Sequence, residues 1–372
     1  MECKEPVRVL QIVGIAGNGG VEAVILNYYR HMDRSKVQFD FVAHKNPSEN
    51  FVREVKKGGG RLYEVTLYMK NVFVFTYEIY RIIRDGRYEI VHSNMNSLSV
   101  FPLFAAWLAG AKVRILHNHT TDTKAEGMRT ILKRVLRPLA KLFANQYWAC
   151  SELAARWMYG EHAVNAGEIT IIPNAIDLKK FAFNQEKRDR LRSKLGIKDE
   201  LVIGHVGRFM KQKNHDFLID IFAAVVKEKP DAKLILIGEG PLENEIKAKV
   251  KRLSLENNVV FLGVRSDVAD LYNVMDLFVL PSFYEGLPVV GVEAQANGLK
   301  CLFSDKVTSE SKLLQSTDFI SLDVVNNWTN SIISSSIMKE KRTVRADNRI
   351  RDFSIEEAAI SLQLIYETRL YS

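Results

Sequence analysis

Cysteine is scarce in this chain: three among 372 residues, at Cys3, Cys150 and Cys301. That spacing forms neither a disulfide framework nor a zinc motif, which excludes a disulfide-stapled scaffold and favours a reducing compartment. Cys150 and Cys301 each end an apolar strand pattern and read as small core residues. Asp-x-Asp, a common way of holding a divalent metal, does not occur. No His or Cys spacing suggests a metal cage either, so no metal and no other cofactor is expected. No apolar run reaches the ~20 residues that span a bilayer. The most apolar stretch, Leu98 to Ala111, contains Pro102 and reads as a buried helix. Val7 to Ala16 is interrupted by Arg8 and Gln11, a first strand rather than a signal peptide. The expectation is a protein in the cytoplasm, soluble or peripheral on the inner face of the membrane. Acidic residues are in deficit, 44 against 52 basic, for a formal charge of +8. That excess suits an anionic partner. The aromatic-basic signature of a nucleic-acid module is missing, and no nucleic acid is expected.

What is present is alternation. Strand patterns fall at Val7–Val13, Val37–Val42, Arg61–Val65, Ile90–His92, Val113–His117 and Gln146–Cys150. Helical patterns lie between them, at Val21–His31, Phe51–Lys57, Val72–Arg84, Ser99–Leu108 and Met128–Phe143. This is the signature of an α/β fold with a doubly wound parallel sheet. A turn-rich segment follows, and after the charged stretch Lys187 to Lys198 the alternation restarts. Strands are predicted at Leu201–Val206, Lys233–Ile237, Val259–Leu262, Leu277–Leu280 and Lys300–Phe303. The reading is two Rossmann-like domains, 1–176 and 177–350, and a last helical pattern in 351–372.

Two clusters carry chemistry. In Ser282 to Ala294, two carboxylates, Glu285 and Glu293, flank a Gly286-Leu287-Pro288 turn and an apolar run. Pro288 suits the first turn of a helix. Glu285 then sits on the loop after a strand and Glu293 inside the next helix, in the crevice where open α/β sheets bind ligands. A capped helix with two solvated glutamates gives the same pattern taken alone. The second cluster, Gly207-Arg208 to Lys213, follows a strand and opens a helix. A glycine turn, helix-terminal N–H groups and two cations suit an anion such as a phosphate. The bland reading is a solvated basic loop.

Together with Gly238-Glu239-Gly240-Pro241 and Gly19-Gly20-Val21-Glu22, these segments resemble the GT-B glycosyltransferases, and among them the retaining nucleotide-sugar enzymes of family 4. The wording Glu285-Gly286-Leu287-Pro288 and Glu293-Ala294-Gln295-Ala296 is most similar to bacterial enzymes of capsule and exopolysaccharide assembly. The resemblance implies two domains facing each other across a cleft, with the terminal helix crossing back to the first. It implies a donor, UDP-sugar by preference, whose diphosphate is held by Arg208 and Lys213 without metal. Glu293 matches the glutamate on the ribose, and Glu285 the one near the donor sugar's hydroxyls. Gly286, Leu287, Pro288 and Val289 would line the same crevice, and Gly263 and Val264 would touch the base. Gly19 and Gly20 match a loop beside the donor phosphates. His119 matches a histidine near the C6 side of the transferred sugar; otherwise it is a structural loop residue. No protein base is implied, since the departing phosphate takes the acceptor proton. The chain departs from the family pattern at Gly298-Leu299-Lys300, where Gly-x-Pro is common.

The acceptor implied is a saccharide carried on membrane lipid. Met128 to Phe143 alternates Arg129, Lys133, Arg134, Arg137 and Lys141 with apolar residues, a pattern suited to an anionic membrane or to an ordinary half-buried helix. Two rival functions share this sequence: a non-hydrolysing nucleotide-sugar epimerase of the same fold, whose acids do not sit in this glutamate pattern, and a silent nucleotide-sugar-binding subunit.

Overall fold

The structure is a computed structural model describing residues 5–16, 19–120, 128–337, 342 and 348–369; the side chains of 128–134, 337, 348 and 369 lie outside that description. The chain divides into two compact units, residues 1–176 with 352–372, and residues 177–351.

The first unit is built on seven strands: β1 (Val7–Gly14), β2 (Val37–His44), β3 (Leu62–Val65), β4 (Ile90–Ser93), β5 (Val113–Asn118), β6 (Gln146–Ala149) and β7 (Ile169–Ile171). They pair in parallel in the order β3-β2-β1-β4-β5-β6-β7. Every residue of β2 is buried, as expected of a parallel strand covered on both faces. The last helix, Ile355–Arg369, packs on the helix Gly20–His31 and on β2. It starts from a backbone clasp in which Ile176 N–H donates to Phe353 O at 2.9 Å and Ile355 N–H to Ile176 O at 3.0 Å.

The second unit has six strands: β8 (Val202–Val206), β9 (Lys233–Ile237), β10 (Val259–Phe261), β11 (Leu277–Leu280), β12 (Lys300–Ser304) and β13 (Thr317–Ile320). Their order is β10-β9-β8-β11-β12-β13, again parallel. Both sheets therefore reverse direction once, between β1 and β4 and between β8 and β11. Those reversals, at the carboxyl ends of the strands, are where such sheets hold ligands.

Three expectations need correction. The charged stretch Lys187 to Lys198, to which the sequence pattern assigned no element, is largely helical: Gln185–Lys194 is a helix. Its Arg188 and Arg192 reach Asp276 at 2.5 and 3.2 Å. The strand β13 escaped the pattern because Thr317 and Asp318 dilute its apolar residues. The helix Val100–Leu108 is not buried throughout. A helix on a sheet buries one stripe, so Val100, Leu103, Ala105 and Ala106 are enclosed, whereas Phe104, Trp107 and Leu108 are 38, 53 and 57% exposed.

Candidate active site

In the second unit the loops after β8, β9 and β10 are sewn together by backbone. Gly207 N–H donates to Ile237 O at 2.9 Å, Phe209 N–H to Glu239 O at 3.0 Å and Gly238 N–H to Gly263 O at 2.8 Å. Glycine is required for this approach. Gly238 has φ +134°, and a Cβ there would lie 2.3 Å from Gly207 O; one on Gly240 would lie 2.5 Å from Phe209 O. The amides of Gly207 and Phe209 thus already have carbonyl partners. What the turn presents is side chains, together with the uncapped start of the helix His215–Glu228. Gly263 holds φ +62° at the third loop, and Val264 beside it is 47% exposed.

The cations differ. Arg208 is exposed and has no ion-pair partner among the described residues. Lys213 Nζ donates to Glu285 Oε1 at 2.6 Å, with side chains only 15 and 9% exposed. Gln212 Nε2 donates to Glu285 Oε2 at 3.3 Å and to Tyr284 O at 3.0 Å, and Phe283 N–H donates back to Gln212 O at 2.8 Å. The loops after β8 and β11 are thereby locked together at the strand reversal. Gly286, Leu287 and Pro288 are buried in that loop. Pro288 occupies the N-cap of the helix Val289–Ala296, one position before its predicted place. Inside that helix Glu293 Oε2 accepts from the Tyr272 hydroxyl at 2.9 Å. Burial pushes the Glu293 carboxyl up to about 7, against the pull of the Tyr272 hydrogen bond. Gln295, in the same motif, is structural: its Oε1 accepts from Leu313, Leu314 and Thr317 at 2.8–3.0 Å.

At the reversal in the first unit the groups are neutral. His92 Nδ1 faces the Tyr366 hydroxyl at 2.6 Å, and its Nε2 faces His117 Nδ1 at 3.0 Å. His119 lies against His117 with ring centroids 4.0 Å apart, and its Nε2 faces Asn94 Oδ1 at 2.9 Å. Burial drives His92 and His117 well below 6.5 and His119 down to about 3. Gly20 opens the helix Gly20–His31 with Gly19 as its N-cap, where a Cβ would fall 2.4 Å from Glu22 Oε2. Gly17 and Asn18 lie outside the described residues. Sequence reasoning missed Tyr272, Gln212, Asn94 and Gln11 as partners of these groups. Gln11 did leave a trace, a lone amide inside an apolar strand.

Among the described residues, no group of three or more His, Cys, Asp or Glu side chains could hold a metal ion, and no helix is long and apolar enough to cross a membrane. In the helix Met128–Phe143, the described cations turn inward: Arg137 donates to Trp157 O at 2.6 Å and Lys141 to Tyr159 O at 3.3 Å. Val135, Leu139 and Leu142 are 58, 45 and 70% exposed. The side chains of Arg129, Lys133 and Arg134 lie outside the described residues.

Two parallel, doubly wound units, each with one reversal of strand order, define the GT-B class. The fold is similar to that of HepE from Anabaena in complex with UDP-glucose (TM-score 0.79, 20% identity, 96% of this chain and 98% of that one). It is also similar to sucrose-phosphate synthase from Thermosynechococcus elongatus (TM-score 0.76, 16% identity, 97 and 98%). The family model of glycosyltransferase family 4 matches residues 18–180, and that of glycosyl transferases group 1 matches residues 187–321. EpsF of Bacillus subtilis (strain 168), which carries a glycosyltransferase name, is 37% identical over 82% of this chain and 80% of its own length. A UDP-Gal:α-D-GlcNAc-diphosphoundecaprenol α-1,3-galactosyltransferase of Escherichia coli is 28% identical over 68% of each. The chain belongs to this glycosyltransferase family.

Proposed function

We propose that the protein is a metal-independent, retaining glycosyltransferase that moves a sugar from a UDP-sugar to a lipid-linked saccharide in surface-polysaccharide assembly. The observation that supports it most is the clustering of Arg208, Lys213 and Glu285 at the β8/β11 reversal. The leaving group is a nucleoside diphosphate, and negative charge grows on it as the glycosidic bond breaks. Arg208 offers a guanidinium fork to that charge. The Lys213 ammonium has three N–H donors, of which one goes to Glu285, so it can serve phosphate while still holding the carboxylate. These are charges fixed in place before the reaction, aimed at where charge develops. Glu285, oriented by Lys213 and Gln212, takes the donor sugar's hydroxyls. Glu293, oriented by Tyr272, takes the ribose diol, and His119 contacts the transferred sugar.

The E. coli relative's name places a UDP-sugar donor and a diphosphoundecaprenol-linked acceptor in that enzyme, which supports the same classes here. The capsular polysaccharide biosynthesis glycosyltransferase CapM of Staphylococcus aureus, 26% identical over 70% of this chain, supports the pathway. We place the protein on the cytoplasmic face of the membrane, held by the exposed apolar residues of the helices Val100–Leu108 and Met128–Phe143. A donor-only assay in EDTA tests the central claim. Slow release of free sugar from a UDP-sugar is the expected result. Isomerised donor would indicate an epimerase, binding without turnover a silent subunit, and activity that returns only with manganese would remove the metal-free claim.

A further inference from the structure

The polar groups at the first unit's strand reversal form one hydrogen-bond circuit with Gln11 at its centre. Gln11 is 1% exposed, on β1. Its Oε1 accepts from Asn94 Nδ2 at 3.0 Å. Asn94 therefore turns its Oδ1 toward His119 Nε2, 2.9 Å away, which must carry a proton to bond it. The same histidine's backbone N–H donates to Asn96 Oδ1 at 2.7 Å, so both its ring and its backbone are held by asparagines. On the other side, Gln11 Nε2 donates to the Tyr366 oxygen at 3.1 Å and lies 3.3 Å from His92 Nδ1. Tyr366, accepting from Gln11, has its own proton for His92 Nδ1 at 2.6 Å. His92 then carries its proton on Nε2 and gives it to His117 Nδ1. One amide thus sets the direction of both branches, and no member needs a charge. His119 Nδ1 is left as a bare lone pair with no partner among the described residues.

We propose that Gln11 is a positioning residue that fixes His119 as the Nε2–H tautomer, so that Nδ1 accepts from the C6 hydroxyl of the donor sugar and the enzyme prefers neutral hexoses to uronates, which carry a carboxylate at that carbon. The selectivity half rests on the reading above in which His119 contacts the transferred sugar. The chemistry is a matter of matching. A hydroxyl donates to the lone pair, whereas a carboxylate has only acceptor oxygens to set against it, and two opposed acceptors leave both unsatisfied. Without Gln11 the Asn94 amide is oriented only by a long contact of its Nδ2 with His92 O at 3.5 Å. It can turn its NH2 toward His119, which then protonates at Nδ1 and presents a donor.

The test uses the full-length protein. Nitrogen-15 NMR of labelled histidine, assigned with His119→Gln, should show the parent's His119 protonated at Nε2 only. Gln11→Met should convert it to a mixture or to the Nδ1–H form. Tyr366→Phe should leave it unchanged, because Gln11 still directs Asn94. Gln11→Glu, whose carboxyl keeps an acceptor toward Asn94, should also preserve it, and Gln11→Leu, which likewise has no acceptor for Asn94, covers the case in which Gln11→Met does not fold. In parallel, UDP-glucose against UDP-glucuronate and UDP-galactose against UDP-galacturonate are compared in binding. The parent should favour the hexose of a bound pair by roughly tenfold to a hundredfold, and Gln11→Met should cut that ratio about tenfold. A parent His119 protonated at Nδ1, or the same signals in Gln11→Met, overturns the positioning role. The expected tautomers without discrimination between paired donors overturn the sugar contact. Failure of every UDP-sugar to bind, with the tautomers as expected, overturns the nucleotide reading and leaves Gln11's role supported.

Discussion

The reversal between β1 and β4 carries Gln11, His92, Asn94, His117 and His119, all uncharged, whereas the reversal between β8 and β11 carries Arg208, Lys213 and Glu285. Both lie at the carboxyl ends of parallel strands in sheets of the same winding. The contrast follows from what each buried group was given as a partner. In the first unit, histidines are packed with amides and a phenol, and desolvation, joined at His92 and His117 by the repulsion of neighbouring rings, keeps them neutral. In the second, Lys213 and Glu285 are enclosed together, so each is the other's counter-ion. Neutral groups discriminate by the direction of their hydrogen bonds. Charged groups stabilise charge that moves. The first suits recognition of a sugar, and the second a departing diphosphate.

The largest effects should come from removing a charge. Lys213→Ala and Arg208→Ala are each expected to lower turnover by roughly 10²–10³-fold, the range for losing a preorganised partner of developing charge. They should part company in stability. Arg208 is exposed, so its loss leaves folding nearly unchanged. Lys213→Ala removes the counter-ion of the buried Glu285, at a cost of the order of 3 kcal/mol in urea unfolding. Unchanged turnover in both variants would remove the electrostatic half of the comparison.

Glu293 sharpens it, because it is a half-buried carboxyl that the second unit sets beside a phenol instead of a cation. Glu293→Gln should weaken donor binding by about 1.5–3 kcal/mol, and less with a 2′-deoxyribose donor. An unchanged penalty on the deoxy donor shows that the ribose is not what Glu293 reads. Its carboxyl stands at about 7, above the usual carboxylate range. Below that pH it is protonated, and accepting a diol then requires it to lose the proton. Donor affinity should therefore fall as pH falls through about 7, with proton release on binding near neutrality. Calorimetry in buffers of different ionisation enthalpy measures that release, and none at pH 6.5 contradicts the assignment.

Acid should act next, through the histidines. His119 is held down to about 3, His205 to about 4 and His215 to about 2, all from 6.5. A histidine whose folded value is depressed takes up its proton more readily when unfolded. Its contribution is present above about 6.5 and is lost as pH falls below it. Each should contribute a loss of about 1.4 kcal/mol per pH unit below that point. Urea unfolding at pH 7.5 and 5.5 reads the net slope, which Glu293, raised to about 7, opposes; the histidine share is read by difference, and His119→Gln should flatten the slope relative to the parent. The same slope in His119→Gln and the parent would mean that the His119 ring is not held neutral in the native state.

Much of this was legible in the sequence because periodicity and punctuation are local. Apolar runs of strand length, Gly207, the Gly286-Leu287-Pro288 turn and the spacing of Glu285 and Glu293 all lie within short windows. They located the strands β8 and β11 and the loops after them. What the sequence does not carry is pairing at a distance. Tyr272 reaches Glu293 across 21 residues, Gln212 reaches Glu285 across 73 and Gln11 reaches Tyr366 across 355. Each partner is an ordinary residue in its own window. The amide pairings between the loops after β8 and β9 were equally hidden, since they depend on two glycine turns meeting face to face. The surface of Val100–Leu108 was misread for the opposite reason: composition reports how apolar a helix is, not how much of it a neighbour covers.

The smallest effects should separate the outer surfaces of the two units. Phe104, Trp107 and Phe143 form an aromatic cluster with centroids 5.1–6.1 Å apart, and Leu139 and Leu142 lie exposed on the same helix as Phe143. Arg137 and Lys141 are turned onto Trp157 and Tyr159 carbonyls, so of the described side chains it is the apolar ones that carry the proposed attachment. Trp107→Ser combined with Leu142→Ser should weaken partition onto anionic vesicles by about 1 kcal/mol per residue, a fraction of the ~1.5–3 kcal/mol for complete burial of a large apolar side chain. Raising salt from 0.1 to 1 M shortens the screening length from ~10 to ~3 Å and removes whatever share the cations supply. The apolar share should survive that change. Leu253→Ser, at a 39% exposed leucine of the second unit, is the control and should leave partition unchanged. Donor hydrolysis should be intact in all three proteins, because none of these residues touches Arg208, Lys213 or Glu285. Equal partition of the double variant and the parent, or an equal loss in Leu253→Ser, would show that the exposed apolar face of the first unit has no special part in holding the enzyme to lipid.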